Sequence, residues 1–135
     1  DRVEMALLTP GAGGDFPAQL KIGAPEAKGG PGRRVAPYVV AAPMSALTFR
    51  EEAGNRVATV EVTIAAVQDT GARSSIVPER TTVSIPAAEF EKAMKEPFVY
   101  RGTLKTGKGN LRFVAGVRDV ASGRMALAST DVRVE

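Results

Sequence analysis

The sequence predicts an all-β fold, an antiparallel sandwich of short strands, on three observations. Apolar and polar residues alternate with period two through most of the chain after Val35. Turn residues interrupt that alternation at short, regular intervals. Only Pro86–Glu96 has helical spacing, with Phe90 and Met94 four apart.

The elements follow in order. Val3, Met5 and Leu7 alternate with Arg2, Glu4 and Ala6, the pattern of a half-buried strand over Val3–Leu8. Pro10 to Arg34 is rich in glycine and proline and reads as a long loop, with Gly23–Gly32 its least ordered part. Phe16, Leu20 and Ile22 either pin this loop to a core or form a short edge strand. Tyr38, Val40 and Ala42 then share one parity, followed by Leu47 and Phe49. Glu51 to Asn55 reads as a hairpin turn. The strongest strand runs from Val57 to Val67, with Val60, Val62, Ile64 and Ala66 on one face. Asp69-Thr70-Gly71 closes it with turn chemistry. Arg80 to Ile85 is the next strand, and Pro86 opens a short helix that Pro97 stops. Phe98, Tyr100 and Leu104 alternate before the turn Thr106–Asn110. Leu111, Phe113, Ala115 and Val117 alternate after it, up to the turn Asp119–Gly123. Met125 and Leu127 share a parity that Val132 and Val134 break, so the spacing predicts a β-bulge between Ala128 and Asp131.

Composition bounds the function. The 135 residues suit one domain, residues 1–135, and are 44% hydrophobic, enough for a sizeable core. The formal net charge is +3, too small for a nucleic-acid-binding surface. Cysteine, histidine and tryptophan are absent. Thiolate nucleophiles, disulfides, histidine general bases and ordinary zinc sites are therefore excluded. No apolar run is long enough for a transmembrane helix. The start at Asp1 reads as that of a processed or excised piece.

The motifs favour plain readings. Gly102–Lys108 nearly spells a phosphate-binding loop, but Gly109 replaces the required hydroxyl residue and a strand pattern follows where a helix belongs. Gly11–Gly14 lacks a following helix and reads as linker. Asp69 and Asp119 stand at strand exits and are expected to accept local backbone N–H groups. No Asp-x-Asp-x-Asp run is present, so an EF-hand-type loop is excluded. None of the serines, Ser45, Ser74, Ser75, Ser84, Ser122 or Ser129, sits in a nucleophile motif. Tyr38 and Tyr100 fall on apolar faces, which weighs against a sugar-stacking platform. The candidate interaction residues are Arg101, Arg112, Arg118 and Arg124, with Arg133 beyond them. Arg101 and Arg112 occupy the polar parity of two strands read as a pair, so they are expected to share a sheet face. That face is either a solvated, edge-protecting surface or a contact for an acidic partner.

The last third carries a resemblance. Its pattern is Phe98-Val99-Tyr100-Arg101-Gly102-Thr103-Leu104, a glycine turn, Leu111-Arg112-Phe113-Val114-Ala115-Gly116-Val117-Arg118-Asp119, then Ala121-Ser122-Gly123-Arg124. Leu47-Thr48-Phe49, Val60-Glu61-Val62 and Asp69-Thr70-Gly71 precede it in order. Together they resemble the C-terminal β-sandwich region of von Willebrand factor A-related secreted proteins of acidobacteria, over about residues 35–135. The turn Thr106–Asn110 is longer than the short Pro-Gly turn of that pattern. The resemblance implies an immunoglobulin-like or fibronectin type III-like sandwich of about seven to nine strands. One short connecting helix at about residues 87–95 completes it. It implies an extracellular or envelope location and an upstream A-type module in the same chain. That module's Asp-x-Ser-x-Ser adhesion site is absent here, so none of its functional residues transfers. The expectation is a non-catalytic spacer or protein-interaction domain, with no cofactor, no metal, no nucleic acid and no membrane insertion. The alternative is an accessory module that binds a glycan or polyanion on the arginine face.

Overall fold

The computed structural model describes residues 14–68, 70–71 and 78–135. The strand expected at Val3–Leu8, Asp69, Ser74 and Ser75 lie outside the described residues. Among the described residues, nine antiparallel strands form two sheets, an all-β sandwich. The strands are β1 (Gln19–Ile22), β2 (Glu26–Ala27), β3 (Arg34–Pro43), β4 (Arg50–Glu52), β5 (Asn55–Gln68), β6 (Glu79–Pro86), β7 (Pro97–Thr106), β8 (Gly109–Asp119) and β9 (Met125–Val134). A 3-10 turn (Ala87–Glu89) runs into the one α-helix among the described residues, α1 (Phe90–Ala93). The helix is shorter than its predicted span: after Met94 N–H donates to the Phe90 carbonyl, Lys95 and Glu96 donate to Lys92 and Ala93, tighter turns that end it before Pro97.

The smaller sheet is built on β3. β7 pairs along one edge of β3 for its whole length. On the other edge β1 pairs with Tyr38–Ala41 and β2 with Arg34–Val35. The larger sheet is built on β5, with β6 on one edge and β4 and β8 on the other, and β9 outside β8. The alternation read from the sequence now has a physical target. Val60, Val62 and Ile64 of β5, and Ala115 and Val117 of β8, face the smaller sheet. There they meet Tyr38, Val40 and Ala42 of β3 and Phe98 of β7. A continuation of this core gathers Ala36, Ala66, Leu111, Phe113 and Val134.

Several expectations are corrected. The Gly23–Gly32 stretch is ordered: β2 and β3 pair across a glycine turn, closed by Lys28 N–H on the Arg33 carbonyl. Leu20 and Ile22 take the edge-strand option, in β1, while Phe16 is buried in the core. Leu47 and Phe49 precede β4, and Leu47 donates its N–H to Met44 in a 3-10 turn. No bulge interrupts β9, whose register with β8 runs unbroken from Met125 to Val134. The parity break has a different cause. Ala126 faces the core, while Met125 lies on the outer side of the larger sheet. Thr63, Ala65 and Val114 are buried on that outer side too, so apolar residues there are not misplaced.

Candidate functional site

The arginine face does not form as the sequence suggested. β7 and β8 are adjacent in the chain but belong to different sheets, so Arg101 and Arg112 are not on paired strands. The two-residue connection Gly107-Lys108 crosses from one sheet to the other instead of closing a hairpin. Arg112 is held by Asp131 across the β8–β9 ladder, Nε to Oδ1 at 2.9 Å. That carboxylate raises the Arg112 guanidinium further, and the guanidinium in turn lowers Asp131. Arg118 binds Glu61 across the β5–β8 ladder at 3.3 Å, and Arg80 reaches the same carboxylate from β6 at 3.2 Å. Burial works against the Glu61 charge, but the two guanidinium donors outweigh it and lower its pKa. Arg124 lies in the turn before β9, not on a strand. It donates to the Asp15 carbonyl at 3.1 Å and stacks 5.7 Å from the Phe16 ring centroid. Arg133 is tied to Asn110 and Glu135.

Arg101 is the exception. It stands exposed on the outer face of the smaller sheet and makes no ion pair among the described residues. The register aligns Lys21, Val39 and Arg101 in one row and Gln19, Ala41 and Val99 in the next. Glu26, Val35 and Lys105 form a further row. Val99, at 40% exposure, is the exposed large apolar side chain among the described residues. An apolar centre of Val39, Ala41 and Val99 is therefore flanked by cations.

The charge balance of the two sheets makes this face distinct. The strands of the larger sheet carry six Lys or Arg and six Asp or Glu. The strands of the smaller sheet carry four cations, Lys21, Arg34, Arg101 and Lys105, and one carboxylate, Glu26. Cross-strand ion pairs neutralise the first sheet, as opposite charges on neighbouring strands do. The second keeps its positive field. The sequence could not reveal this contrast, because it depends on which strands pair.

Two polar clusters fix the frame around this face. Tyr100 on β7 donates its hydroxyl to the Glu79 carboxylate on β6, linking the smaller sheet to the larger. The acceptor carboxylate, with burial, pushes the Tyr100 pKa up to about 12. Tyr38 packs beside it, ring centroids 6.4 Å apart, and burial followed by the Glu79 charge raises its hydroxyl as well. The other cluster is Asp119, which is fully buried at the end of β8. The sequence predicts only a local turn role for it, yet it also reaches across the chain to Thr48. Its Oδ2 accepts from Thr48 Oγ1 at 2.5 Å and from Ser122 Oγ at 2.6 Å. Burial opposes the charge, but these hydroxyls hold the carboxyl below its ordinary value.

No protein-family model matches this sequence, and no curated protein matches it. Among solved structures, the chain is similar to Northeast Structural Genomics Consortium target SoR45, known from an X-ray structure. The TM-score is 0.50 at 13% identity, covering 88% of this chain and 84% of that one. At this identity the likeness concerns the fold alone. No helix among the described residues is long and apolar enough to cross a membrane.

Proposed function

We propose that this chain is a non-catalytic β-sandwich module of a larger secreted or cell-surface bacterial protein, working as a protein-interaction or adhesion domain. The observation that carries the reading is the outer face of the smaller sheet. Its cations lack ion-pair partners among the described residues, and Lys21 and Arg101 flank Val39 beside the apolar pair Ala41–Val99. An acidic protein surface with an apolar centre complements it in both respects, because interface cores are apolar and their rims charged. β7 adds a second attraction. It pairs with β3 alone among the described residues, so its other backbone edge is available for strand addition.

The lack of cysteine makes the test clean, since one introduced cysteine is one attachment point. A photo-crosslinker is placed on Arg101→Cys and, separately, on Arg112→Cys in this 135-residue chain. The position-101 probe is expected to capture a single acidic partner that rebinds when purified, and the position-112 probe is not. Arg101→Glu is expected to weaken the reconstituted complex about tenfold. Equal capture from both faces, or no change with Arg101→Glu, would sink the reading.

The same uncompensated cations favour a second reading, an accessory module that binds a polyanion on this face. Retention on a heparin column at low salt, lost with Lys21→Glu plus Arg101→Glu but kept with Arg112→Ala, would select it. Arg112 is not expected to contribute, because Asp131 already neutralises it.

A further inference from the structure

We propose that this domain also holds a binding site for a small anionic amphiphile, an apolar chain ending in a carboxylate or a phosphate. The site is a cavity of about 720 Å3 at one end of the sandwich. It opens where the β2–β3 glycine turn, the end of β7 and the start of β8 come together. Its volume falls in the ordinary range for small-molecule pockets.

Its lining divides by chemistry. Ala66 and Leu111 supply apolar surface continuous with the core around Phe113, and Val35 adds apolar surface at the rim. Lys28 and Arg33 face each other across the glycine turn, and Lys105 approaches from β7. These three side chains are exposed and make no ion pair among the described residues. Arg34 also lines the cavity, but its guanidinium already donates to the Glu135 and Arg33 carbonyls. Among the described residues, no carboxylate side chain lines the cavity. An uncharged apolar ligand would leave the cations unused, and a bare anion would leave the apolar wall wet. A molecule with both parts satisfies each wall. Converging lysine and arginine donors give strong, charge-assisted hydrogen bonds to a carboxylate or phosphate head.

The site shares Val35 and Lys105 with one end of the proposed interaction face but lies apart from its centre at Val39, Val99 and Arg101. The experiment titrates four probes into the isotopically labelled full chain and follows amide resonances. They are decanoate, decyl phosphate, decanol and inorganic phosphate, each kept below its aggregation limit. Saturable shifts are expected with decanoate and decyl phosphate at residues 28–35, 103–107 and 111. Whichever of the two binds tighter identifies the head group the site prefers. Decanol and inorganic phosphate are expected to bind at least about tenfold more weakly, since each lacks one half of the match. Arg33→Glu plus Lys105→Glu exposes no core and is expected to keep the spectrum elsewhere while weakening decanoate about a hundredfold, about tenfold per charge. Arg101→Glu is expected to leave decanoate binding unchanged, which separates this site from the interaction face. Decanol binding as tightly as decanoate would overturn the proposal, as would a charge-reversed variant of unchanged affinity. Shifts centred on Lys21 and Arg101 would overturn it too, and would return the charge to the polyanion reading.

Discussion

Gly102 shows how one residue sets the geometry between the two tyrosines and the β7 edge. A Cβ built there would lie 2.5 Å from the Tyr38 hydroxyl oxygen and 2.7 Å from its ring carbon Cζ. Tyr38 is a buried ring packed beside Tyr100, so it has little room to yield. Gly102→Ala is expected to cost about 1–3 kcal/mol, the range for overpacking a filled core, read as a lower urea midpoint at unchanged m. Asp119 makes the opposite kind of prediction. Its folded pKa lies below the reference value of 3.8. The stability it contributes is therefore complete above that reference and is lost as pH falls through the folded value. Asp119→Asn is expected to lose about 1–3 kcal/mol at neutral pH, because its neutral oxygen accepts from Thr48 and Ser122 more weakly than the charged carboxylate and its NH2 replaces Oδ1, a buried atom with no hydrogen-bond partner among the described residues. Urea midpoints of the variant should fall less than those of the parent between pH 5 and pH 3. A parent whose midpoint does not move in that window would remove Asp119 from the account of acid stability.

At the scale of elements, the β4–β5 hairpin offers a direct test of turn chemistry. Glu52 pairs with Asn55, leaving Ala53 and Gly54 as the two central residues, with φ of 51° and 82°. Positive φ at both positions is the turn that matches strand twist, and alanine pays a steric penalty there that glycine does not. Ala53→Gly is expected to stabilise the domain by about 0.5–1 kcal/mol, a rise of a few degrees in Tm. This turn was legible because Ala-Gly-Asn lies between two alternating segments. So were β3, β5, β6 and β8, whose apolar parity does face the core. Sheet membership was not legible. The glycines around Lys108 looked like a hairpin, although that short connection carries the chain between sheets, and nothing local distinguishes the two. The β9 parity break misled for a related reason. A bulge is needed only if one face is wet, and burial of Ala65 and Val114 on the outer side depends on the whole assembly. The cavity was hidden by composition: its glycine turn looked like the least ordered segment of the chain.

Across the whole molecule, the separation of charge is the main organising fact. A neutral sheet of paired charges backs a positive sheet whose cations lack such pairs among the described residues, so the domain has a preferred direction of approach for acidic molecules. Association on that face should slow as salt rises, and Arg101→Glu should act more on the on-rate than on the off-rate where it sits at the rim. β5 has a different consequence. It is the strand around which the larger sheet is assembled, and Val60, Glu61 and Val62 pair with β6 on one side and β8 on the other. No edge can fray to release them. Their amide protons should therefore exchange with solvent deuterium only when the entire domain opens, while those of β7 exchange through local fraying. Three backbone protons would then report the free energy of global unfolding in water, with no denaturant present.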